Sequence, residues 1–217
     1  MSVGGVPLVG RSVMTGCATP EIESMYCSSD SKEILKTSRK YGAITPFIRP
    51  KELATDSSPE LLSWKHFARY LISAGCGGED IIVSLPPTAP LRKVADVQKV
   101  IEELRQGPAE LVITYFEASV NPSFTTITID GFGNVSRLNK GESKQIFRRQ
   151  DASTAFHITP VAYAATVDYV IGTEDLFGGT IRGVEVPRER AADIDSEMDI
   201  RIANFLFDGG SDATNAN

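Results

Sequence analysis

The sequence lacks the features that mark several large classes of protein. No apolar run approaches the roughly 18–20 residues that a membrane-spanning helix needs. The N-terminus has no basic region followed by an apolar stretch, so we expect no signal peptide. The three cysteines, Cys17, Cys27 and Cys76, are odd in number and widely spaced, which favours reduced thiols over a disulfide framework or a zinc site. Together these absences predict a cytoplasmic protein that does not associate with membranes.

Positive charge and histidine are also scarce. There are 22 Lys and Arg against 28 Asp and Glu, a net charge of −6, which argues against a nucleic-acid binder but allows a local basic pocket for one nucleotide. The two histidines, His66 and His157, have no carboxylate or cysteine at the spacing of a metal site or a catalytic triad. No serine lies in a nucleophile-elbow motif, and no glycine-rich phosphate loop follows a strand.

What is present indicates an α/β domain. The 217 residues, 41% of them hydrophobic and 23% charged, suffice for one domain with a sizeable core. Predicted strands alternate with predicted helices, which favours a largely parallel sheet with flanking helices. The predicted strands are 25–28, 44–48, 81–85, 111–116, 162–165 and 181–186. The predicted helices begin at Pro7, are capped by Asp30 and Ser58, cover 94–104, and follow Asp195.

A hairpin interrupts this alternation. Residues 124–129 are rich in Thr and Ile, 130–134 have turn composition, and 135–138 return. The hairpin is predicted to project as an arm at about 120–140, and both a plain surface hairpin and an oligomer contact are compatible with it. Residues 1–207 are predicted to form a single domain, and the polar segment 208–217 is predicted to be disordered.

Two carboxylates lie between the last predicted strand and the last predicted helix. Asp193 and Asp195 are two residues apart, and side chains at i and i+2 of an extended segment point to the same side. Mg²⁺ is commonly held by one or two carboxylates together with substrate phosphates and waters. The alternative is capping of the helix by Asp195, or by a capping box of Ser196 and Asp199. The hexapeptide 190–195 alone favours capping.

Two further clusters suit an anionic ligand. Thr88 and Arg92 follow the strand that ends at Leu85, at the edge where open α/β sheets bind ligands, and they offer a hydroxyl and a guanidinium fork. Residues 148–151 place two adjacent arginines beside a glutamine and an aspartate, which suits a carboxylate or phosphate. The alternatives are a proline-stiffened turn and a surface loop in which Asp151 neutralises one arginine.

Taken in chain order, five segments resemble the cytidylyltransferases that activate acidic sugars, the CMP-N-acylneuraminate (CMP-sialic acid) synthetases. The resemblance covers about residues 3–207. The segments are Cys27-Ser-Ser-Asp30, Tyr41-Gly-Ala with Phe47-Ile-Arg-Pro-Lys-Glu-Leu-Ala54, Leu85-Pro-Pro-Thr-Ala-Pro-Leu-Arg92, Arg148-Arg-Gln-Asp151, and Asp193-Ile-Asp195.

The resemblance implies a Rossmann-like nucleotidyltransferase that converts CTP and a nonulosonic acid into a CMP-sugar and pyrophosphate. It implies that Asp193 and Asp195 hold Mg²⁺ and that Arg149 acts with them by pairing with the sugar carboxylate. It also implies a homodimer formed through the hairpin arm. The nucleotide-binding candidates are Arg49, Ser58, Thr88 and Arg92, and the sugar-binding candidates are Arg149, Gln150, Thr159 and Tyr163.

The sequence also departs from the family pattern. It begins after the family's opening strand and its phosphate loop of the type R-x-G-S-K-G. Pro86, Ala89 and Thr159-Pro160 replace Gln, Ser and Asn-Gly at sugar-contacting positions, which leaves the acceptor open among nonulosonic and Kdo-like acids. One alternative is an N-terminally truncated, non-catalytic homologue that binds a sugar or a partner. Another is a glycosyltransferase with an Asp-x-Asp metal site, which the other motifs fit poorly.

Overall fold

The structure is a computed structural model that describes residues 1–119, 121, 126–138 and 154–212, with no side-chain description for 210–212. The strands in these ranges are β1 (Ser2–Val3), β2 (Val6–Pro7), β3 (Ile81–Ser84), β4 (Leu111–Glu117), β5 (Ile127–Ile129), β6 (Val135–Arg137), β7 (Phe156–Thr166) and β8 (Ile181–Glu185). The helices are α1 (Leu8–Ala18), α2 (Lys32–Lys40), α3 (Glu60–Ser73), α4 (Val94–Gln106), α5 (Val167–Gly172) and α6 (Glu197–Asp212), with 3-10 turns at Lys51–Leu53 and Arg188–Arg190.

The main sheet of the described residues has four strands in the order β3-β7-β4-β8. β7 is antiparallel to both of its neighbours, whereas β4 and β8 are parallel. The α/β class is therefore as predicted, with β3, β4 and β8 running in one direction. The sheet is mixed rather than purely parallel, because β7 enters between β3 and β4 from the opposite direction.

β7 is 11 residues long, whereas the sequence predicted a strand only at 162–165. Its pairing with β4 shifts register between Val112 and Thr114. Pro160, which has no N–H, lies in the shifted part of β7. The hydroxyl of Thr114 fills the gap in the ladder: it lies 2.7 Å from the Thr159 carbonyl, and it accepts from the Ala162 N–H at 3.1 Å.

Helices cover both faces of this sheet. On one face, α3 and α5 pack their buried side chains, including Trp64 and Val170, against Leu111. On the other face, α4 packs Val97 and neighbouring apolar residues against Val112. Adjacent residues of β4 thus point into opposite layers, as the alternation of a strand requires. No helix in the described part of the chain is long and apolar enough to cross a bilayer.

Several local predictions need correction. The strands predicted at 25–28 and 44–48 reduce to one parallel bridge between Tyr26 and Ile44. Ser31, not Asp30, caps α2, since the Ile34 N–H donates to its hydroxyl at 3.3 Å. α3 has Pro59 at its N-cap position and no side-chain cap, so Ser58 does not cap it.

The hairpin agrees with its sequence-based prediction, whereas the last helix is longer than predicted. β5 and β6 form the predicted antiparallel hairpin, and the Asp130 carboxylate accepts from the N–H groups of Phe132 and Asn134 at 2.9 Å each. α6 runs to Asp212. Residues 208–212 are therefore helical rather than part of the predicted disordered tail, and 213–217 lie outside the described residues.

Candidate active site

The carboxylate pair lies on an exposed turn that is anchored by the residue between its members. Asp193 and Asp195 are exposed, whereas Ile194 is only 5% exposed and packs with Val3 and Ala203. The Ile194 N–H donates to the Thr88 carbonyl at 2.9 Å. This alternation turns both carboxylates to the solvent side, beside the loop that follows β3.

A different pair of residues caps the helix that follows. The Asp199 carboxylate accepts from the Ser196 N–H at 2.8 Å and from the Ser196 hydroxyl at 2.7 Å. It also accepts from the backbone N–H of Asp195 at 3.2 Å. The capping box of Ser196 and Asp199 is therefore formed, and these contacts use neither carboxylate of the acidic pair. Capping and ligand binding are compatible here because they use different residues.

Asp193 has a mixed electrostatic environment. Partial burial raises the pKa of Asp193, the hydrogen bond from the Thr88 hydroxyl lowers it, and the charge of Asp195 raises it again, with a net increase. An ionised Asp193 is therefore held at some electrostatic cost. A cation placed between the two carboxylates would remove that cost.

The aromatic side chain of Tyr163 lies at the same site. It pairs with Ser84 at the carboxyl end of β3. Burial raises the pKa of Tyr163 to about 12, and the charges of Glu60 and Asp193 raise it as well. Its ring lies 6.5 Å from that of Trp64 between centroids, and the Trp64 indole N–H donates to Glu60 at 3.1 Å.

Glu60 and Trp64 were not among the residues singled out from the sequence. Trp64 is only 6% exposed and packs in the core between α3 and the main sheet. The available signal was the i, i+4 spacing, which puts both side chains on one face of the first turn of α3. The sequence does not show which strand this face of α3 contacts.

Arg92 has a structural role in this fold. It is 6% exposed, and its guanidinium donates to the Pro86 carbonyl, to the Pro160 carbonyl at 3.1 Å and to the Ser12 hydroxyl at 3.0 Å. Burial lowers the pKa of Arg92 to about 9, against the opposing influence of Asp96. Both terminal nitrogens of the guanidinium are occupied within the fold, whereas the buried Nε has no hydrogen-bond partner among the described residues. The predicted nucleotide contact of Arg92 stays a prediction.

Thr159 is likewise occupied within the fold. It is 1% exposed, and its hydroxyl donates to the Ala191 carbonyl at 3.3 Å. The predicted sugar contact through this hydroxyl therefore meets a buried group. Its position instead ties β7 to the segment that carries the acidic pair.

Arg49 and Ser58 lie near the start of α3. Arg49 is half-buried, and its guanidinium donates to the Ser28 carbonyl at 2.7 Å and to the Ser63 hydroxyl at 3.0 Å. The Arg49 Nε, the Ser58 hydroxyl and the Ser28 hydroxyl are buried, and the described part of the chain offers them no hydrogen-bond partner. Such groups suit a polar ligand or water.

Two predicted residues, Arg149 and Gln150, lie outside the described residues, as does the rest of 148–151. Within the described ranges, no group of three or more His, Cys, Asp or Glu side chains gathers as a metal site. The described candidates for a metal ion are therefore the two carboxylates of the acidic pair. The structure brings together Thr88, Tyr163, Asp193 and Asp195, and it assigns Arg92 and Thr159 to supporting the segments that carry them.

Comparison with solved structures identifies the fold. A CMP:2-keto-3-deoxy-manno-octonic acid synthetase complexed with CTP matches with a TM-score of 0.67 at 13% identity, over 97% of this chain and 91% of that one. A 4-diphosphocytidyl-2C-methyl-D-erythritol synthase from Anaerococcus prevotii matches with a TM-score of 0.65 at 16% identity, over 95% and 88%. The fold is that of the nucleotidyltransferases, an α/β class with a mixed sheet flanked by helices.

Sequence relatives narrow the class. Post-translational flagellin modification protein B of Campylobacter coli is 26% identical over 214 residues, 94% of this chain and 86% of the relative. Pseudaminic acid cytidylyltransferase of Campylobacter jejuni is 25% identical over 205 residues, with the same coverage. CMP-N,N'-diacetyllegionaminic acid synthase of Legionella pneumophila is 22% identical over 217 residues, 97% and 89%. No protein-family model matches the chain. The chain is a homologue of these proteins, two of which are named as a cytidylyltransferase and a CMP-sugar synthase.

Proposed function

We propose that this protein is a cytidylyltransferase that joins CTP and an acidic nonulosonic sugar into a CMP-sugar and releases pyrophosphate. The observation that carries the proposal is the exposed Asp193–Asp195 pair, turned to one side and held beside the loop after β3 by the hydrogen bond from the Ile194 N–H to the Thr88 carbonyl at 2.9 Å. The homology to cytidylyltransferases specifies the reaction class. The alternative of a non-catalytic homologue is not favoured, because this pair is present and the relatives are named as enzymes.

The acidic pair suits Mg²⁺. The ion usually takes one or two protein carboxylates and completes its octahedron with waters and phosphates, and the mutual repulsion of Asp193 and Asp195 would be relieved by a cation. When bound, Mg²⁺ would neutralise charge on the triphosphate and its leaving pyrophosphate. The chain's own contribution is to hold the two carboxylates in place, with Thr88 orienting Asp193.

The other side chains of the site would position the two substrates. Tyr163, with a pKa of about 12, is protonated at neutral pH, and its hydroxyl can donate to a sugar or phosphate oxygen. The unpaired Arg49 Nε and Ser58 hydroxyl suit the nucleotide. By resemblance, Arg149 would pair with the sugar carboxylate, so that the anomeric hydroxyl faces the α-phosphate and displaces pyrophosphate.

The test is release of pyrophosphate from CTP, Mg²⁺ and a panel of acids: pseudaminic, legionaminic, N-acetylneuraminic and Kdo. We expect sugar-dependent release with at least one of them, and its loss in Asp195→Asn. Glu197→Gln, which removes a neighbouring exposed carboxylate, is the matched control and should keep activity. Release that never exceeds the sugar-free background with any acid would contradict the proposal.

We also propose that the protein is a homodimer that forms through its hairpin. Ile127, Ile129 and Val135 are 49%, 65% and 61% exposed, and Phe132 at the turn is 95% exposed. Ile129 pairs with Val135 across the hairpin, so these apolar side chains form one patch that a second copy would cover. Sedimentation should show a dimer that Ile129→Ser with Val135→Ser dissociates, whereas Ile72→Ser on α3 should not. A wild-type monomer at micromolar concentration would exclude the dimer.

A cytoplasmic location completes the proposal. It is supported by three cysteines that are all unpaired, as expected of a reducing compartment. Fractionation of the producing cells, followed by immunoblotting, tests it directly.

A further inference from the structure

The segment that carries the acidic pair has little regular structure of its own. After the 3-10 turn at Arg188–Arg190, the chain is irregular until α6 begins at Glu197. Two carboxylates on such a segment would splay apart unless something outside it held them. The contacts of residues 190–194 therefore decide whether both carboxylates can reach one ion.

Arg190 makes the most directional of these contacts. Its Nε donates to Asp96 Oδ2 at 2.9 Å, and its NH2 donates to Asp96 Oδ1 at 2.8 Å. This is a bidentate pair, in which the planar guanidinium is fixed by the plane of the carboxylate. The hydrogen bonds to Asp96 raise the pKa of Arg190.

Asp96 is itself held rigidly. It lies in the first turn of α4, is 1% exposed, and its Oδ2 also accepts from the Lys93 N–H at 2.9 Å as part of the cap of that helix. α4 packs against the main sheet through a fully apolar stripe. The ion pair therefore joins the start of the acidic segment to a helix that is packed against the main sheet.

The remaining anchors lie on either side of Asp193. The Ala191 carbonyl accepts from Thr159 at 3.3 Å, and the Ile194 N–H donates to Thr88 at 2.9 Å. Asp193 therefore lies between two fixed points of the chain, one at 190–191 and one at 194. Arg190 supplies the only charged contact in this set.

We propose that Arg190 and Asp96 are positioning residues: their ion pair fixes the carboxylates of Asp193 and Asp195 for one divalent cation and so sets the affinity of the site for it. This inference rests on the proposed function. It differs from a purely structural role, because loosening the pair weakens cation binding in a protein that is still folded. Partners that orient metal ligands typically change metal affinity or activity by about 10- to 100-fold when removed.

The chain offers a matched control. Arg182 on β8 pairs with Glu103 on α4, so it also connects that helix to the chain preceding the acidic segment. This second pair is more exposed, with the side chains of Arg182 and Glu103 at 52% and 28%, and it lies farther from Asp193 along the chain. Arg182→Gln therefore removes a comparable charge pair without loosening residues 190–194.

The experiment compares Arg190→Gln and Arg190→Lys with Arg182→Gln and with wild type. Calorimetric titration of the protein with Mn²⁺ alone gives the cation affinity of the site, the Mg²⁺ concentration for half-maximal pyrophosphate release gives its kinetic counterpart, and thermal melting gives stability. Arg190 variants are preferred to Asp96→Asn, because Asp96 also influences the buried Arg92.

We expect Arg190→Gln to weaken cation affinity about 10- to 100-fold. Arg190→Lys should give a smaller loss, since it keeps the charge but not the fork, and Arg182→Gln should leave the affinity unchanged. If Arg190→Gln fails to fold, Arg190→Lys carries the same comparison. A folded Arg190 variant with wild-type cation affinity and only a lower Tm would overturn the inference.

Calorimetry also separates this inference from the proposed function. If wild type releases no pyrophosphate with any acid but binds Mn²⁺, the reaction proposal fails, and the affinity ratio between wild type and the Arg190 variants still decides the role of the ion pair. Absence of Mn²⁺ binding in wild type would overturn the positioning role as well.

Discussion

The backbone carbonyl of Thr88 accepts a hydrogen bond from the N–H of Ile194 at 2.9 Å. The Thr88 side chain lies beside the neighbouring Asp193 and lowers the pKa of its carboxyl. One residue of the loop after β3 thus contacts the backbone of the acidic segment and lies next to one of its carboxylates. The two predicted ligand-binding regions, about a hundred residues apart in the chain, form one site through this contact.

Thr88→Val should move the acidic side of the pH–activity profile. The hydrogen bond from Thr88 lowers the pKa of Asp193, so its removal raises that pKa and the carboxylate is protonated at a higher pH. We expect the acidic limb of kcat/KM to move to higher pH. Thr37→Val on α2 is the control and should leave the acidic limb unchanged. If Thr88→Val also leaves the limb unchanged, the ionisation of Asp193 does not control the pH dependence of kcat/KM.

Asp193→Asn should stabilise the metal-free protein while it abolishes activity. The pKa of Asp193 is raised in the folded state, so the native state takes up a proton more readily than the unfolded state. Wild type therefore loses stability as the pH rises above the ordinary value of 3.8 and through the raised pKa. The asparagine variant has no such loss.

Thermal melting without metal checks this sign. The Tm of Asp193→Asn should exceed that of wild type at pH 8, and the difference should vanish below pH 3.8, the ordinary aspartate value. Mg²⁺ with CTP should narrow the gap at pH 8, because it stabilises only wild type. A variant less stable than wild type at pH 8 without metal would mean that Asp193 is a structural carboxylate.

Removing the cap of α6 should destabilise the protein, whereas Asp193→Asn should stabilise it. Ser196→Ala should lower the free energy of unfolding by about 1 kcal/mol. Hydrogen bonds from Ser196 lower the pKa of Asp199, so its contribution is present above the ordinary aspartate pKa and is lost as the pH falls through the lowered value. Urea unfolding of Asp199→Asn should show a deficit at pH 7 that disappears in acid, whereas Glu197→Gln should show little.

Arg92 should matter for folding rather than for nucleotide affinity. Arg92→Met removes the donor to the Pro160 carbonyl and to the Ser12 hydroxyl in a buried site, while the Pro86 carbonyl keeps only the Ser12 hydroxyl and a long contact from the Ala89 N–H. We expect the free energy of unfolding to fall by about 2–4 kcal/mol. The KM for CTP of the folded fraction should be unchanged, with the exposed Arg105→Met as control. A large rise in that KM with unchanged stability would restore Arg92 as a nucleotide ligand.

Much of the local structure could be predicted because its cause is local. Apolar residues at helical spacing identified α4, and unbroken apolar runs identified β3 and β4, since periodicity is set within a few residues. The i, i+2 spacing of Asp193 and Asp195 likewise predicted that they would share a side. Strand composition alone was not sufficient: the stretch around Ile44 has it, but this stretch forms only one bridge, because strand formation also needs a partner segment.

Other features depended on which segments meet. Arg92 and Thr159 have side chains that suit ligands, and composition could not reveal that main-chain carbonyls from distant loops would occupy them. Glu60 and Trp64 join the site only because β7 brings Tyr163 next to α3.

The sequence by itself determined the alternation of strands and helices, the acidic pair and the cap beside it, because each depends on residues within one or two turns of each other. The tertiary structure alone decided the direction of β7 and the pairing of Arg190 with Asp96. It also decided which polar groups remain available to a ligand. These outcomes depend on strand register and on burial, which are set by packing between segments that lie tens of residues apart.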